Sequence, residues 1–264
     1  MRVVATDLDD TLIWKDRVLR PRTLAALART RAAGIDVIVV TGRMVQSLQR
    51  VLPLSLLADP AICYQGAVVV DVDGTWLRHV PIELELAKAA IAAAEAEGYD
   101  PNVYVDDELY VSRMTKYAEA YATFQGLEVH VVGDTRAWLE RPPTKIVIVG
   151  EPDELDAVEV RQKRLFEHRL TISKSLPHFL EFTALGITKA AGLDFLAGRM
   201  GFTPQQTIAF GDGENDVELV AWAGYGIAVE NAHGRVKAVA DWVCPSAEDE
   251  GVAAVLEALL DSRP

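Results

Sequence analysis

Two rhythms of apolar and polar positions alternate along the chain. Short, mainly apolar runs without alternation occur at RVVAT (about residues 2–6), IDVIVV (35–40) and TIAFGD (207–212). Such runs read as strands buried on both faces. Between and after them, apolar residues return every three or four positions. This is the spacing of PRTLAALARTRAAG, TGRMVQSLQRVL, TKAAGLDFLAGRMG, NDVELVAWAG, AHGRVKAVA and DEGVAAVLEALLDS, which predicts helices. Pro21 and Thr23 open the first of these helices, and Gly34 closes it. AICYQ (61–65) and YGIAVE add short strands, and AVVVDVDGTWLRHV reads as a hairpin. A β-α-β-α order predicts a parallel sheet with right-handed crossovers.

At about residue 81 the texture changes. The helix IELELAKAAIAAAEAEG leads into NVYVDDELYVS, a hairpin with acids at its tip. LEVHVVG, TKIVIVG and LTISKSLPHFLEFT follow as strands, with a helix, EPDELDAVEVRQKRLFEH, before the last of them. Strands in close succession mark a separate α+β unit. From residue 188 the first rhythm resumes. The expected fold is therefore α/β: a doubly wound, mainly parallel, Rossmann-like core sheet (1–80 and 188–264) interrupted by an inserted α+β cap domain (81–187).

Composition narrows the function. The chain has 264 residues, half of them hydrophobic, enough for a substantial core. Lys and Arg number 26 against 39 Asp and Glu, a formal net charge of −13. An acidic chain argues against a nucleic-acid partner, which requires a basic face. It leaves room for a small anion held by a metal ion or a few local cations. Two cysteines without short spacing, Cys63 and Cys244, argue against a disulfide framework or a thiolate zinc site. No apolar run reaches membrane-spanning length, and MRVVATDLDD has no signal-peptide apolar stretch. The expectation is a cytoplasmic protein, monomer or homodimer, with no membrane association.

Two stretches share the pattern Asp-x-Asp-x-Thr, DLDDT (7–11) and DVDGT (71–75), and each follows a β-branched run. Alternate residues of an extended segment point the same way, so Asp7 and Asp9 would project together from the C-terminal end of the first strand. That end is where open α/β sheets bind ligands. Such a pair can bind Mg²⁺ or divide into nucleophile and general acid/base. Asp71 and Asp73 have a plainer reading: Asp-Gly between two strand-like runs is a hairpin-turn signal, and no helix follows to make a crossover.

Three companions support DLDDT. VVTGR (39–43) ends a strand, so that Thr41 and the Gly42 N–H near a helix start form an anion cradle. GITKAAG puts Lys189 at the start of a helix, where it can hold phosphate and balance the carboxylates. FGDGENDVEL (210–219) follows a strand and offers Asp212 and Asp216 to complete a cation site. An EF-hand reading of that stretch fails, because Val217 stands where the loop glycine belongs.

DLDDT, VVTGR, Lys189 and GDGEND together resemble the four motifs of the haloacid dehalogenase-like (HAD) superfamily. The large insert after the second motif is similar to that of its C2-capped, Cof-type phosphatase branch. The resemblance implies that Asp7 is the nucleophile, carrying the phosphoryl group as an aspartyl-phosphate, and that Asp9 is the general acid/base. It implies Mg²⁺ on Asp7, the Asp9 backbone carbonyl, Asp212 and Asp216, and phosphate oxygens on Thr41, Gly42, Lys189 and Asn215. Two departures stand out: Asp10 where the branch often has glycine, and Gln65 where it usually has asparagine.

The implied activity is Mg²⁺-dependent hydrolysis of a small phosphorylated metabolite, sugar phosphate-like. The alternatives are a sugar phosphomutase and a non-catalytic phosphate-ligand-binding or regulatory protein. A mutase needs basic residues in the cap to reorient a bisphosphate, whereas RQKRLFEHR (161–169) reads as a helix face. A receiver-like phospho-acceptor has no cap and no acid two residues after its nucleophile. Tyr104, Asp106, Asp107 and Glu108 at the cap hairpin, and His178, are candidates for substrate contact, against a plain reading as an exposed turn. Arg43 is either a substrate contact or a helix-surface charge.

Overall fold

The computed structural model describes residues 1–52 and 58–262. By contacts these fall into two compact units. The first comprises 1–42, 48–77 and 188–264, and the second 43–47 and 78–187.

In the first unit, β1 (Val3–Thr6), β2 (Asp36–Val39), β12 (Thr207–Gly211), β13 (Tyr225–Val229) and β14 (Trp242–Cys244) form one sheet. Its order is β14-β13-β12-β1-β2, parallel throughout. β1 lies at the centre of its neighbours, with Val3 opposite Thr207 on one side and Asp36 on the other. Its four residues are all buried, as an all-apolar run requires. On one face Val3, Ala5, Ile38 and Ala209 pack with Leu193 and Leu196 of α7 (Lys189–Met200) and Leu219 of α8 (Val217–Trp222). On the other, α1 (Pro21–Ala32) packs against α10 (Gly251–Asp261). Arg22–Glu257 and Arg29–Asp261 ion pairs lie along that contact. Pro21 supplies a φ already suited to the first helical turn.

β3 (Ala61–Cys63), β4 (Val68–Val70) and β5 (Trp76–His79) form a small antiparallel arrangement, in which Ala61 pairs with Val70. β3 joins the parallel sheet only through a bridge between Val40 and Ile62. The sequence reads AICYQ as an ordinary strand; the structure makes it three residues followed by a tight turn, Tyr64–Gly66. DVDGT is indeed the turn between β4 and β5. Asp71 N–H donates to the Thr75 carbonyl at 2.8 Å, and Asp73 Oδ1 accepts from the Thr75 N–H at 2.8 Å. Asp73 is exposed, and that backbone hydrogen bond holds its carboxyl below the usual range.

The Tyr64–Gly66 turn is also a seat for α7. Gly66 has φ +105, and a Cβ there would stand 2.1 Å from the Thr188 carbonyl oxygen. A Cβ on Gly192 of α7 would meet the Gly66 Cα at 3.0 Å. Backbone therefore packs directly on backbone one residue before Lys189.

The second unit holds a six-stranded sheet of order β10-β11-β9-β6-β7-β8. Its strands are β6 (Asn102–Val105), β7 (Glu108–Val111), β8 (Val129–Val131), β9 (Lys145–Val149), β10 (Leu170–Leu176) and β11 (Phe179–Ala184). Val103, Ile146, Ile148, Leu180 and Phe182 pack with Ala87 and Ile91 of α3 (Leu84–Ala96) and with Leu155 and Val158 of α6 (Pro152–Leu165). The alternate positions of the same strands carry a buried ion pair, Lys145–Glu181, at 3.2 Å. α4 (Lys116–Gln125) is absent from the sequence expectation, although Thr115 caps its start and Gly126, at φ 69, its end. Among the described residues the remaining α-helices are α2 (Val45–Val51), α5 (Thr135–Trp138) and α9 (Gly234–Val239).

Candidate active site

Asp7 continues β1 by one residue, its N–H donating to the Phe210 carbonyl at 3.0 Å. The chain then turns back on itself. Leu12 and Ile13 N–H both donate to the Leu8 carbonyl, and Asp10 takes φ 58. A positive φ explains why glycine is the easier residue at that position. Asp9 is half-buried and bridges to Ile13. Thr11 Oγ1 donates to Asp212 Oδ1 at 2.8 Å, joining DLDDT to the stretch after β12.

Lys189 is the first residue of α7, whose start is capped by the Thr188 side chain accepting from the Ala191 N–H. Its side chain is only 2% exposed. Nζ donates to Asp7 Oδ1 at 2.5 Å and to Asp216 Oδ1 at 2.6 Å. Asp216 closes the 3₁₀ turn Glu214–Asp216, and its other oxygen accepts from the Asp212 and Gly213 N–H groups at 3.1 and 3.0 Å. One ammonium thus spans acids contributed by the ends of β1 and β12.

The charges do not balance. Asp7, Asp212 and Asp216 each offer an oxygen within 4.8 Å of the others, and a single lysine faces them. Burial raises the Asp7 carboxyl well above its ordinary range; Lys189 opposes the rise, and Asp216 and Asp212 add to it. Burial and then Asp216 push Asp212 up to about 7, against the hydrogen bond from Thr11. Burial works against the Lys189 charge, but Asp216 and Asp7 outweigh it and raise its pKa. A set of hard oxygen donors short of positive charge fits a divalent cation. Asp7, Asp212 and Asp216 would hold it.

At the end of β2, Thr41 is buried and its N–H donates to the Ile62 carbonyl at 2.8 Å. Gln65 N–H donates to the Thr41 carbonyl at 3.2 Å, and its side-chain oxygen accepts from Asn215 Nδ2 at 3.0 Å. Asn215 is thereby connected to the Thr41–Gly42 stretch. Arg43 falls in the second unit, where Nη1 donates to Ser47 Oγ at 2.9 Å. It is buried rather than a helix-surface charge.

The second unit's hairpin candidates have protein partners. Asp106 pairs with Arg141, and Glu108 accepts from the Tyr110 hydroxyl at 2.5 Å. Asp107 accepts from the Val45 and Gln46 N–H groups, each at 2.9 Å. Tyr104 is buried with the Lys145 ammonium 5.1 Å from its ring centre. His178 is exposed, its Nδ1 3.1 Å from the Gly150 carbonyl oxygen. The sequence reading gave no role to Thr11, whose place in DLDDT was its only signal. It treated Gln65 only as a departure from a pattern.

A family model described as haloacid dehalogenase-like hydrolase matches residues 4–256, and the chain belongs to that family. It is 27% identical over 262 residues to the 5-amino-6-(5-phospho-D-ribitylamino)uracil phosphatase of Bacillus subtilis, covering 97% of this chain and 96% of the relative. It is 26% identical over 237 residues to an HMP-PP phosphatase of Escherichia fergusonii, covering 90% and 87%. A HAD/COF-like hydrolase from Plasmodium vivax superposes with a TM-score of 0.92 at 24% identity, over 100% of this chain and 96% of that one, a likeness of fold. The chain is thus a haloacid dehalogenase-like hydrolase, and relatives that it matches over most of their length are named phosphatases. Among the described residues, no helix is long and apolar enough to cross a membrane.

Proposed function

We propose that the chain is a Mg²⁺-dependent phosphomonoesterase of the cytoplasm that hydrolyses small, sugar phosphate-like metabolites through an aspartyl-phosphate. The observation that carries this reading is the Lys189 ammonium lying between Asp7 and Asp216 in a buried, acid-rich site.

Asp7 attacks phosphorus through a carboxylate oxygen. The ester P–O bond breaks, Asp9 gives its proton to the departing alkoxide, and the phosphoryl group resides on Asp7. Asp9, now a carboxylate, takes a proton from water as the water oxygen attacks phosphorus. The P–O bond to Asp7 breaks, releasing inorganic phosphate and restoring both acids. Lys189, Thr41, the Gly42 N–H and Asn215 hold the non-transferring oxygens, because a loose phosphoryl transition state needs positioning and charge neutralisation. Mg²⁺ on Asp7, Asp212, Asp216 and the Asp9 carbonyl would supply positive charge to the phosphoryl oxygens and keep Asp7 ionised. Arg43, whose Nη1 donates to Ser47 Oγ, keeps further N–H donors and is a candidate for a substrate contact.

The net charge of −13 supports a small-molecule rather than a nucleic-acid substrate. Two buried cysteine thiols accord with a reducing compartment. The test is phosphate release from a panel of phosphorylated metabolites, with Mg²⁺ and with chelator, alongside Asp7→Asn. Mg²⁺-dependent release absent in the variant is expected. Mg²⁺-independent release, or full turnover by Asp7→Asn, would overturn the mechanism.

A further inference from the structure

Gln65 has a buried polar side chain on a strained backbone. It is 4% exposed and sits at φ 59, ψ 19, between Tyr64 at φ 52 and Gly66 at φ +105. Left-handed geometry at two successive residues that are not glycine marks a turn whose surroundings dictate its shape. The turn touches three of the four stretches that build the site. Its backbone is bonded to Thr41, it seats the carbonyl of Thr188, and the Gln65 side chain reaches Asn215. The amide also lies close against Gly42: a Cβ there would be 2.4 Å from Gln65 Nε2. Gly42 therefore leaves the space that the Gln65 amide fills.

We propose that Gln65 is a positioning residue for phosphate. Its amide is wedged between Gly42 and Asn215 and fixes the Asn215 amide in one orientation. Asn215 Nδ2 spends one hydrogen on Gln65 Oε1 and keeps the second for a phosphate oxygen. Glutamine has the length to reach both Gly42 and Asn215, and asparagine is one methylene shorter. This inference rests on the phosphatase reading and adds to it the group that orients Asn215.

The test uses p-nitrophenyl phosphate as substrate and inorganic phosphate as competitive inhibitor, both with Mg²⁺. Gln65→Leu is expected to raise KM and the inhibition constant of phosphate about tenfold, with a smaller change in kcat, the scale of one lost hydrogen bond to an oriented group. Gln65→Glu, which keeps the acceptor, recovers part of that loss. In an Asn215→Ala background, Gln65→Leu has no further effect, because its route to phosphate is gone. A Gln65→Leu enzyme that binds phosphate like the wild type would overturn the proposal. So would effects of Gln65→Leu and Asn215→Ala that simply add. Calorimetric binding of inorganic phosphate to the same variants reads the effect without turnover. A wild type that hydrolyses nothing and binds no phosphate would sink the phosphatase reading itself, and this inference with it.

Discussion

Thr11 and Asp212 lie 201 positions apart in sequence, yet the Thr11 hydroxyl donates to the Asp212 carboxylate at 2.8 Å. The bond favours the ionised acid, the form a cation needs, in a place where burial and Asp216 favour the protonated one. Thr11→Val should therefore raise the Asp212 pKa further above its value of about 7. The expected result is weaker Mg²⁺ binding by about three- to tenfold at pH 7, on the scale of one charge-assisted hydrogen bond. The loss should shrink at pH 8.5, where the acid ionises anyway. Mg²⁺ titrations at the two pH values check this; a loss that does not change with pH would mean that Thr11 acts on packing alone.

The same raised acids give the metal-free protein a characteristic pH dependence. Asp7 and Asp212 hold protons more tightly folded than unfolded. Folded protein binds the excess protons, so stability falls as pH rises from the unfolded carboxylate range through the folded pKa, about 7 for Asp212. In chelator, Tm should decline between about pH 4 and pH 8, and the gain in Tm on adding Mg²⁺ should grow over the same window. Asp212→Asn should flatten both trends. A metal-free Tm that climbs across that window, equally in wild type and variant, would contradict the assignment.

The two Asp-x-Asp-x-Thr stretches should separate sharply on mutation. Asp7 faces Lys189 at 2.5 Å inside the site, whereas Asp71 Oδ1 accepts from its neighbour's N–H in a solvent-facing turn. Asp7→Asn is expected to lower kcat by roughly a thousandfold or more, as loss of a nucleophile does. Asp71→Asn should change kcat/KM by no more than about twofold. Circular dichroism on both variants separates lost chemistry from lost fold.

Asp10 occupies φ 58 beside Asp9, and burial followed by the Asp9 charge raises its carboxyl pKa. Asp10→Gly removes both the left-handed strain and the crowding of charge. It should stabilise the fold by up to ~1 kcal/mol, with Asp10→Val destabilising instead. Urea denaturation of the three proteins gives the order directly; a glycine variant less stable than wild type would show that the Asp10 side chain makes a contact worth more than the strain.

The parallel core was legible because its strands are buried on both faces, which leaves runs such as VVAT and DVIV with polar residues only at an end. The acids and lysine were legible because each stands just past a strand or at a helix start, a position the chain pattern locates. What escaped reading depends on partners remote in sequence or on very short elements. β14 has only three residues, two of them exposed. α4 buries Ala118, Tyr121, Ala122 and Gln125 at helical spacing, but two are alanines and one is polar, so KYAEAYATFQ carries little apolar signal beyond its capping residues. The carboxylate of Asp107 is directed to the N–H groups of Val45 and Gln46, 62 and 61 positions away. Ser47, which accepts from Arg43, in turn donates to the Gln125 carbonyl 78 positions away. No local pattern announces either pairing.

The seat of α7 on the Tyr64–Gly66 turn has one more consequence. Gly66 and Gly192 bring backbone against backbone, with the Ile62 side chain closing the space beside Gly192, so little room is left there to absorb an error. The helix has a hard stop, which fixes the point from which the Lys189 side chain starts toward Asp7. A substitution at either glycine would act like a shim under a lever. It would shift the ammonium at the far end while leaving every charged residue of the site in the sequence unchanged.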